Sequence, residues 1–466
     1  MSLAWNRINE LFDTGSFQIM EDLDPTIHLL GAGKIDGRLV YCCAGVPEAT
    51  HVDILECFHR KVHWLEAVHK NPAPVVWLHD APPREPGGRT PIPAHSDELL
   101  ASNNGVGRVF CLQARLNGVV PQISALFSDV GAAQTFPFRL ADFTLLKKGS
   151  HVWIGRPDAV KLMVGSTPDA EDLGGAEMHC KVSGVGDVLF EQDSEALTWI
   201  TNCLGCLPSR AGEALPTAET QAPEMPCGNL SVFVPIDLNK PFDMKIVIRG
   251  LIDGHSWVGI QDLYTKEAIT GLARIAGITV GILANNSSEK GGVIFPESCR
   301  KMTRFIRFCE SYSIPMLFLA DTPGLMVGTA TEQGGMLSEA CDLLRALAVT
   351  KTPRVCLVIR KAYTVGLYAM SGPGFDPTYF WAAQDSSISV FGPKALDYFA
   401  RDRGLPPAAL DAIREMHHHA IDPHDYEEKG YLSGVIKWQD LRSKLETFAK
   451  ETNEEKEVCE GPASNK

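Results

Sequence analysis

An internal duplication constrains the fold of this chain more than any other feature of its sequence. Residues 31–40 (GAGKIDGRLV) recur as residues 271–280 (GLARIAGITV), at an offset of 271 − 31 = 240. Further matched pairs keep the same spacing to within one residue: Arg60-Lys61 with Arg300-Lys301, Pro74 with Pro315, and Asp80 with Asp321. Several anchors at one offset indicate two homologous halves within the 466 residues.

Apolar spacing predicts the same order of elements in both halves. In each half a helix with apolar residues three and four positions apart precedes a short, wholly apolar strand. In the second half another helix and strand follow. Alternation of helix and strand predicts an α/β fold with a mainly parallel sheet. The predicted helices carry Leu55, Phe58, Val62 and Leu65; Met302, Phe305, Ile306 and Cys309; and Leu337, Ala340, Leu344 and Leu347; the strands are residues 75–78, 316–319 and 355–359.

The boundary between the halves is predicted from a segment without apolar periodicity. Residues 207–230 are rich in Pro, Ala, Ser and Thr, which is typical of a linker. We therefore expect an N-terminal domain over residues 1–225 and a C-terminal domain over residues 226–466.

Charge and hydropathy exclude several classes of partner. The chain has 57 acidic and 43 basic residues, a net charge of −14, which disfavours binding to a polyphosphate backbone. No basic leader with an apolar core opens the chain, and no apolar stretch has the length of a membrane span. We expect a cytoplasmic protein with neither a nucleic-acid partner nor a membrane span.

The cysteines and histidines give little support for a metal site. The 13 cysteines are dispersed and odd in number, as expected of buried thiols in a reduced protein. Cys203 and Cys206 lack a second pair at zinc-ribbon spacing. Three consecutive histidines, 417–419, cannot converge on one ion from a helix. We expect no metal in this chain.

Two short turns of small residues are the strongest candidates for chemistry. Residues 130–133 (VGAA) and 363–366 (YTVG) each follow a predicted strand and precede a helix. Such a turn exposes backbone amides at a helix start, where they can stabilise an oxygen that gains negative charge. The alternative is that small residues only let the helix pack closely on the sheet. No nucleophile elbow, phosphate-binding loop or zinc-protease helix competes with the turns.

Several blocks resemble the carboxyltransferase subunits of propionyl-CoA, methylcrotonyl-CoA and glutaconyl-CoA enzymes. The resemblance covers nearly the whole chain and implies two tandem crotonase-like domains. The blocks are residues 118–124 (GVVPQIS), 141–144 (ADFT), 172–176 (DLGGA) with His179 and 183–185 (SGV), 307–309 (RFC), 321–324 (DTPG), 334–335 (GG) and 360–363 (RKAY), with a weaker echo at 429–436.

The resemblance implies transfer of CO2 between carboxybiotin on a carrier protein and an acyl-CoA thioester. It places acyl-CoA at Gly131, Ala132 and Ala133 of the N-terminal half. Biotin would lie in the C-terminal half, at Thr364, Val365 and Gly366. The catalytic groups would be the main-chain amides of Ala132, Ala133, Val365 and Gly366, with no side-chain base.

The implied partners follow from what the chain lacks. It has neither the biotin-attachment sequence AMKM nor an ATP-grasp half, so biotin would arrive on a biotin carboxyl carrier protein loaded by a biotin carboxylase. The family also implies a homo-oligomer, a dimer or a trimer of dimers, in which the two sites meet across subunits.

The turns depart from the Gly-Gly pairs that are usual in the family. Ala132-Ala133 stands at the first turn and Thr364-Val365 at the second, so we expect Gly366 to supply the flexible backbone of the second turn. Residues 79–89 also replace a family segment, which predicts an unusual acyl pocket.

Three alternative functions stay open from the sequence. The same site can run in reverse as a decarboxylase. A biotin-independent crotonase-type hydratase or isomerase would need an acid or base, for which Asp80 and Glu85 are the candidates. A non-catalytic assembly subunit would keep only the fold.

Overall fold

The computed structural model describes residues 2–20, 28–49, 54–82, 96–392 and 422–459, with isolated residues between 398 and 412. The chain divides into two compact units, Met1–Glu213 and Ala214–Lys466. Much of the segment predicted as a linker packs on its own unit: the Ala218 amide donates to the Gly277 carbonyl at 2.9 Å. The predicted domain boundary at residue 225 stays a prediction.

The N-terminal unit is built on a seven-stranded sheet in the order β1-β2-β3-β4-β5-β7-β9. Strands β1, β2 and β3 pair antiparallel with one another in that order. From β3 onward each strand pairs parallel with the next one in the sheet. A separate parallel pair, β6 and β8, lies off this sheet. The strands are β1 (Gln18–Ile19), β2 (His28–Ile35), β3 (Arg38–Gly45), β4 (Val75–His79), β5 (Gln122–Leu126), β6 (Val130–Gly131), β7 (Phe143–Lys147), β8 (Val152–Trp153) and β9 (Val188–Phe190).

Helices connect the parallel strands of this unit. The apolar face of the longest, α2, packs with α4 over β3 and β4, where Trp64 and Trp77 meet edge to face at 5.2 Å. The helices are α1 (Leu3–Leu11), α2 (Ile54–Lys70), α3 (Ser96–Ala101), α4 (Val106–Arg115), α5 (Thr135–Arg139), α6 (Pro157–Val164), α7 (Ala170–Gly174), α8 (Ala176–Met178) and α9 (Asp193–Cys206), with a 3-10 turn at Ala132–Gln134 and a π turn at His179–Ser183.

The C-terminal unit repeats this sheet in the order β10-β11-β12-β13-β14-β15-β17, with β16 pairing β14. The strands are β10 (Val258–Ile260), β11 (Ala268–Ile275), β12 (Ile278–Asn285), β13 (Met316–Thr322), β14 (Arg354–Tyr363), β15 (Tyr379–Ala383), β16 (Ser387–Ser389) and β17 (Gly434–Ile436). The helices are α10 (Met244–Leu251), α11 (Pro296–Ser311), α12 (Thr329–Gln333), α13 (Met336–Val349), α14 (Val365–Ala369), α15 (Pro423–Glu428) and α16 (Leu441–Cys459), with 3-10 turns at Cys227–Val232, Lys290–Gly292 and Trp438–Asp440.

The duplication is reproduced down to the hydrogen bonds of the first hairpin. Asp36 and Gly37 take φ of 49° and 75° between β2 and β3, the left-handed pair of a type I′ turn. Their amides donate to the Asp13 carboxylate at 3.1 and 2.8 Å. The same arrangement stands at the equivalent place in the second half, where the Asp253 carboxylate accepts two turn amides at 3.1 and 2.7 Å. The predicted duplication, helices and parallel strands are confirmed.

Candidate active site

The second of the two predicted turns joins β14 to α14. Thr364 has φ 54° and ψ −144°, a conformation that is rare for a β-branched residue and costs ~1–3 kcal/mol. Its amide donates to the Ser389 carbonyl at 3.2 Å, so the pairing of β14 with β16 continues into the turn. The helix begins at the next residue, Val365.

Two amides at the start of α14 are available for a ligand. Within the described ranges, no protein group accepts a hydrogen bond from the amides of Val365 and Gly366, as is usual for the first N–H groups of a helix. Val365 is 38% exposed. Gly366 is buried, and a Cβ there would lie 2.7 Å from the Gly324 Cα atom. Only glycine therefore lets α14 start this close to the chain after β13.

The first predicted turn follows β6. Ala132 takes φ 53° and opens the 3-10 turn that leads into α5. Gly131 is extended, with φ −149°, so its backbone does not require glycine. The Thr135 hydroxyl donates to the Trp153 carbonyl at 2.8 Å, which ties the start of α5 to the end of β8.

Strand registers align the two turns residue by residue. Gly131 pairs with Trp153 at the end of β6, as Tyr363 pairs with Ser389 at the end of β14. The residues that follow, at positions 132 and 364, correspond and have nearly the same φ value. By this alignment the amides that come next are those of Ala133 and Gln134 in the first turn, and of Val365 and Gly366 in the second.

The alignment changes two expectations from the sequence. Thr364, and not Gly366, takes the left-handed conformation, so the expectation for Gly366 is wrong: that glycine is needed for close packing instead. The alignment also makes Gln134, which the sequence did not reveal, a candidate for the second amide of the first turn, while the predicted role of the Ala132 amide stays a prediction. The two turns are closer together in the sequence than the repeat offset, and their residues share no side-chain chemistry. Neither the repeat nor the residue types could therefore identify Gln134.

Helix α2 carries a buried lysine to the first turn. Lys61 is 1% exposed, and its Nζ atom donates to Gln134 Oε1 at 3.3 Å. Burial lowers the pKa of Lys61. Burial, followed by the nearby Lys61 charge, lowers the pKa of His79 to about 3, so this imidazole is neutral. A buried ammonium therefore contacts the first turn, next to an imidazole that carries no charge.

The second turn rests on a buried ion pair. Arg360 on β14 binds Asp321 on β13 through two hydrogen bonds of 3.1 and 3.0 Å, with the side chains 2% and 0% exposed. Such a bidentate pair fixes both strand ends geometrically. The Tyr363 hydroxyl and Ser387 Oγ, 3.0 Å apart, add a contact between β14 and β16 next to the turn.

Neither proposed acid or base is placed for catalysis by the described geometry. Asp80 corresponds to Asp321 in the repeat, and its carboxylate is buried against Arg7 at 2.6 Å. Arg7 also binds Asp193 at 2.8 Å. This network ties α1 and α9 to the end of β4, so the geometry gives Asp80 a structural role. Glu85 lies outside the described residues.

The described residues contain no group of three or more metal-ligating side chains. Cys203 and Cys206 are buried, and burial raises the pKa of Cys203. The histidines at 417–419 lie outside the described residues. No helix in the described part of the chain is long and apolar enough to cross a membrane.

Comparison with known families gives one match along almost the whole chain. Residues 2–464 match the model of the carboxyl transferase domain. The chain is 34% identical to an uncharacterized carboxylase, YngE, of Bacillus subtilis, over 96% of this chain and 88% of the relative. It is 30% identical to the propionyl-CoA carboxylase beta chain of Roseobacter denitrificans, over 95% and 89% of the two chains.

Two further similarities bear on the reaction and the fold. The chain is 30% identical to the methylmalonyl-CoA decarboxylase subunit alpha of Veillonella parvula, over 94% of this chain and 87% of the relative. It superposes with a TM-score of 0.86 on a transcarboxylase 12S crystal structure with methylmalonyl-coenzyme A bound, at 25% identity, over 99% and 90% of the two chains. The predicted fold of two crotonase-like domains is confirmed.

Proposed function

Because the chain belongs to the carboxyl transferase family, we propose that it transfers a carboxyl group between biotin and an acyl-CoA thioester, using backbone amides in both turns. One observation carries the proposal. Each half places a left-handed residue, Ala132 or Thr364, directly before a pair of amides at a helical start. A duplicated site of this kind suits a reaction in which two carbonyl-type oxygens need stabilisation.

The N-terminal turn is assigned to acyl-CoA. Removal of the α-proton converts the thioester into an enolate, whose oxygen carries the developing negative charge. The amides of Ala133 and Gln134 bind this oxygen and lower the barrier, since donors that are already fixed in place need no reorganisation. Residues Gly131 and Ala132 shape the approach to these donors. The enolate carbon then forms the new bond to CO2.

The C-terminal turn is assigned to biotin. The ureido carbonyl of biotin is a hydrogen-bond acceptor, and the amides of Val365 and Gly366, which donate to no described protein group, are matching donors, so the turn fits the group chemically. Thr364 sets their direction. When bound, carboxybiotin supplies the activated carboxyl group and, once that group has left, the nitrogen base for the α-proton. The chain itself needs no side-chain base.

The direction of transfer depends on the partner proteins. The relatives include both a carboxylase and a decarboxylase, and the amides stabilise the same enolate in either direction. Decarboxylation is therefore the second candidate function. We also propose a separate biotin carboxyl carrier protein with its biotin carboxylase, a homo-oligomer formed as a dimer or a trimer of dimers, and a cytoplasmic location.

Transfer of radiolabelled carboxylate from free carboxybiotin to a panel of acyl-CoAs tests the function. We expect label in at least one acyl-CoA, and avidin should stop turnover when the biotin carrier protein is the donor. Turnover that is undiminished by avidin would favour the biotin-independent alternative. A folded protein that transfers no label to any thioester would favour the assembly subunit.

A further inference from the structure

The duplication pairs two buried lysines whose surroundings differ sharply. Lys61 and Lys301 occupy equivalent places on α2 and α11, and are 1% and 3% exposed. The Lys301 ammonium donates to three backbone carbonyls, at 2.8, 2.8 and 2.6 Å. An ammonium has three donors, so Lys301 is fully satisfied and has a structural role.

Lys61 is poorly satisfied by comparison. In the described residues its one hydrogen-bond partner is Gln134 Oε1, at a long 3.3 Å, and the Phe58 ring lies 5.6 Å from Nζ. Among the described residues, the titratable groups that interact electrostatically with it are Cys43 on β3, Cys57 on α2, His28 on β2 and His79 on β4. The Arg60 guanidinium on α2 acts on His28 in turn.

No carboxylate faces Lys61 among the described residues. A buried cation without a counter-charge is costly to keep in a fold. Lysine has no acceptor, so the contact with Gln134 requires the carbonyl end of that carboxamide to face Nζ. Lys61 thereby fixes the side chain of one of the two residues whose amides form the first turn.

We propose that Lys61 is a positioning residue for acyl-CoA enolisation: it holds the Gln134 side chain and the first turn in place, and its positive charge favours the negative charge that develops at that turn. This inference rests on the proposed function. In a low-dielectric site a cation near the developing oxyanion stabilises the transition state more than the neutral substrate. Lys301 does not play this part in the second half, because three backbone carbonyls already accept all of its ammonium donors.

The test compares Lys61→Met with its matched control, Lys301→Met, in the full-length protein. Lys61→Met removes an uncompensated charge and should unfold at the same or a higher denaturant concentration than wild type. Lys301→Met leaves three carbonyls without their donor and should unfold at a lower one. This comparison does not depend on activity.

In the carboxyl-transfer assay we expect Lys61→Met to lower kcat at least tenfold, with KM for acyl-CoA changed less than threefold. Gln134→Leu should lower kcat similarly, and should add little in the Lys61→Met background because the two residues act as a unit. If wild type transfers no carboxyl group, the proposed function fails. If wild type is active and Lys61→Met keeps its kcat, or if it unfolds as readily as Lys301→Met, the positioning role is overturned.

Discussion

Ala132 and Thr364 take nearly the same positive φ, 53° and 54°, at the same place in the two halves of the chain. Neither is glycine, so each turn keeps a conformation that disfavours its own side chain. Strain of this kind persists where the surrounding structure holds it and is often found at functional sites. The amides that follow each residue are the centre of the proposed mechanism.

The amide of Ala133 can be removed without a new side-chain charge. Proline at the second position of the 3-10 turn removes the N–H group while its fixed φ suits a helical start. We expect Ala133→Pro to lower kcat for carboxyl transfer by ~100-fold to ~1,000-fold in a folded protein. Circular dichroism checks the fold. Near-normal kcat in the folded variant would remove this turn from the mechanism.

Glycine at position 132 is the matched control for the first turn. It keeps the amide and adopts the left-handed conformation of Ala132 without a Cβ penalty. We expect Ala132→Gly to retain turnover within about twofold of wild type, and its unfolding free energy to stay within ~1 kcal/mol. A large loss of activity would mean that the Ala132 side chain, rather than the backbone that follows it, carries the function.

The second turn offers the corresponding experiment. Val365→Pro removes the first amide of α14, and proline is tolerated at the first position of a helix. We expect transfer from carboxybiotin to fall ~100-fold or more, with the Kd for acyl-CoA unchanged by calorimetry. Thr364→Gly, which relieves the strain and keeps both amides, should remain active. Weakened acyl-CoA binding in Val365→Pro would contradict the assignment of this turn to biotin.

Asp80 separates the proposed chemistry from an acid–base mechanism. Its carboxylate forms a buried pair with Arg7, with side chains 6% and 7% exposed. Loss of such a pair costs ~3–5 kcal/mol. We expect Asp80→Asn to lower the unfolding free energy by that order, while the folded fraction keeps its kcat. A stable variant that has lost its activity would instead support a crotonase-type hydratase or isomerase.

The pH dependence of stability gives a test of Lys61 that needs no substrate. Burial lowers its folded pKa below the usual 10.5. Between these two values the unfolded chain binds more protons than the folded chain, so stability from Lys61 increases as pH rises. Burial raises the pKa of Cys43 from 9.0 to about 11, which acts in the opposite direction.

A Cys43→Ala background removes the opposing thiol. We compare the unfolding free energy of Cys43→Ala with that of the double variant Cys43→Ala, Lys61→Met. The first value minus the second should rise with pH in the range just below 10.5. Cys57 and the Arg60 guanidinium are present in both proteins, and the pKa values of His28 and His79, which burial and Lys61 lower from 6.5, lie below this range. A difference that is flat, or that falls with pH, would contradict a lowered Lys61 pKa.

The sequence was sufficient for the architecture and for the place of both turns. The internal duplication, apolar spacing and the strand-to-helix position of small residues predicted elements that the structure contains. It was not sufficient for the roles within the turns. Glycine is required at position 366 because a side chain there would collide with Gly324, and not because the backbone needs a positive φ. Thr364 takes the left-handed conformation because tertiary contacts override its local preference.

The buried lysines show the same limit. Lys61 and Lys301 match in sequence, and nothing local separates a satisfied ammonium from an unsatisfied one. The difference comes from residues distant in the chain: Gln134 meets Lys61, whereas the carbonyls of Gln261, Tyr264 and Ala268 meet Lys301. Partners of this kind depend on how loops close over a helix, which apolar periodicity does not specify.

In the proposed mechanism the first turn binds acyl-CoA, the second binds biotin, and the two turns of one site come from different subunits of a homo-oligomer. The most direct measurement is carboxyl transfer by purified mixed oligomers that contain one Ala133→Pro chain and one Val365→Pro chain, each inactive alone. In a mixed dimer one of the two sites then pairs an intact first turn with an intact second turn. We expect recovery of up to about half of wild-type turnover per dimer. Complete inactivity of verified, folded mixed oligomers would contradict the account, because it would place both turns of each site within one chain.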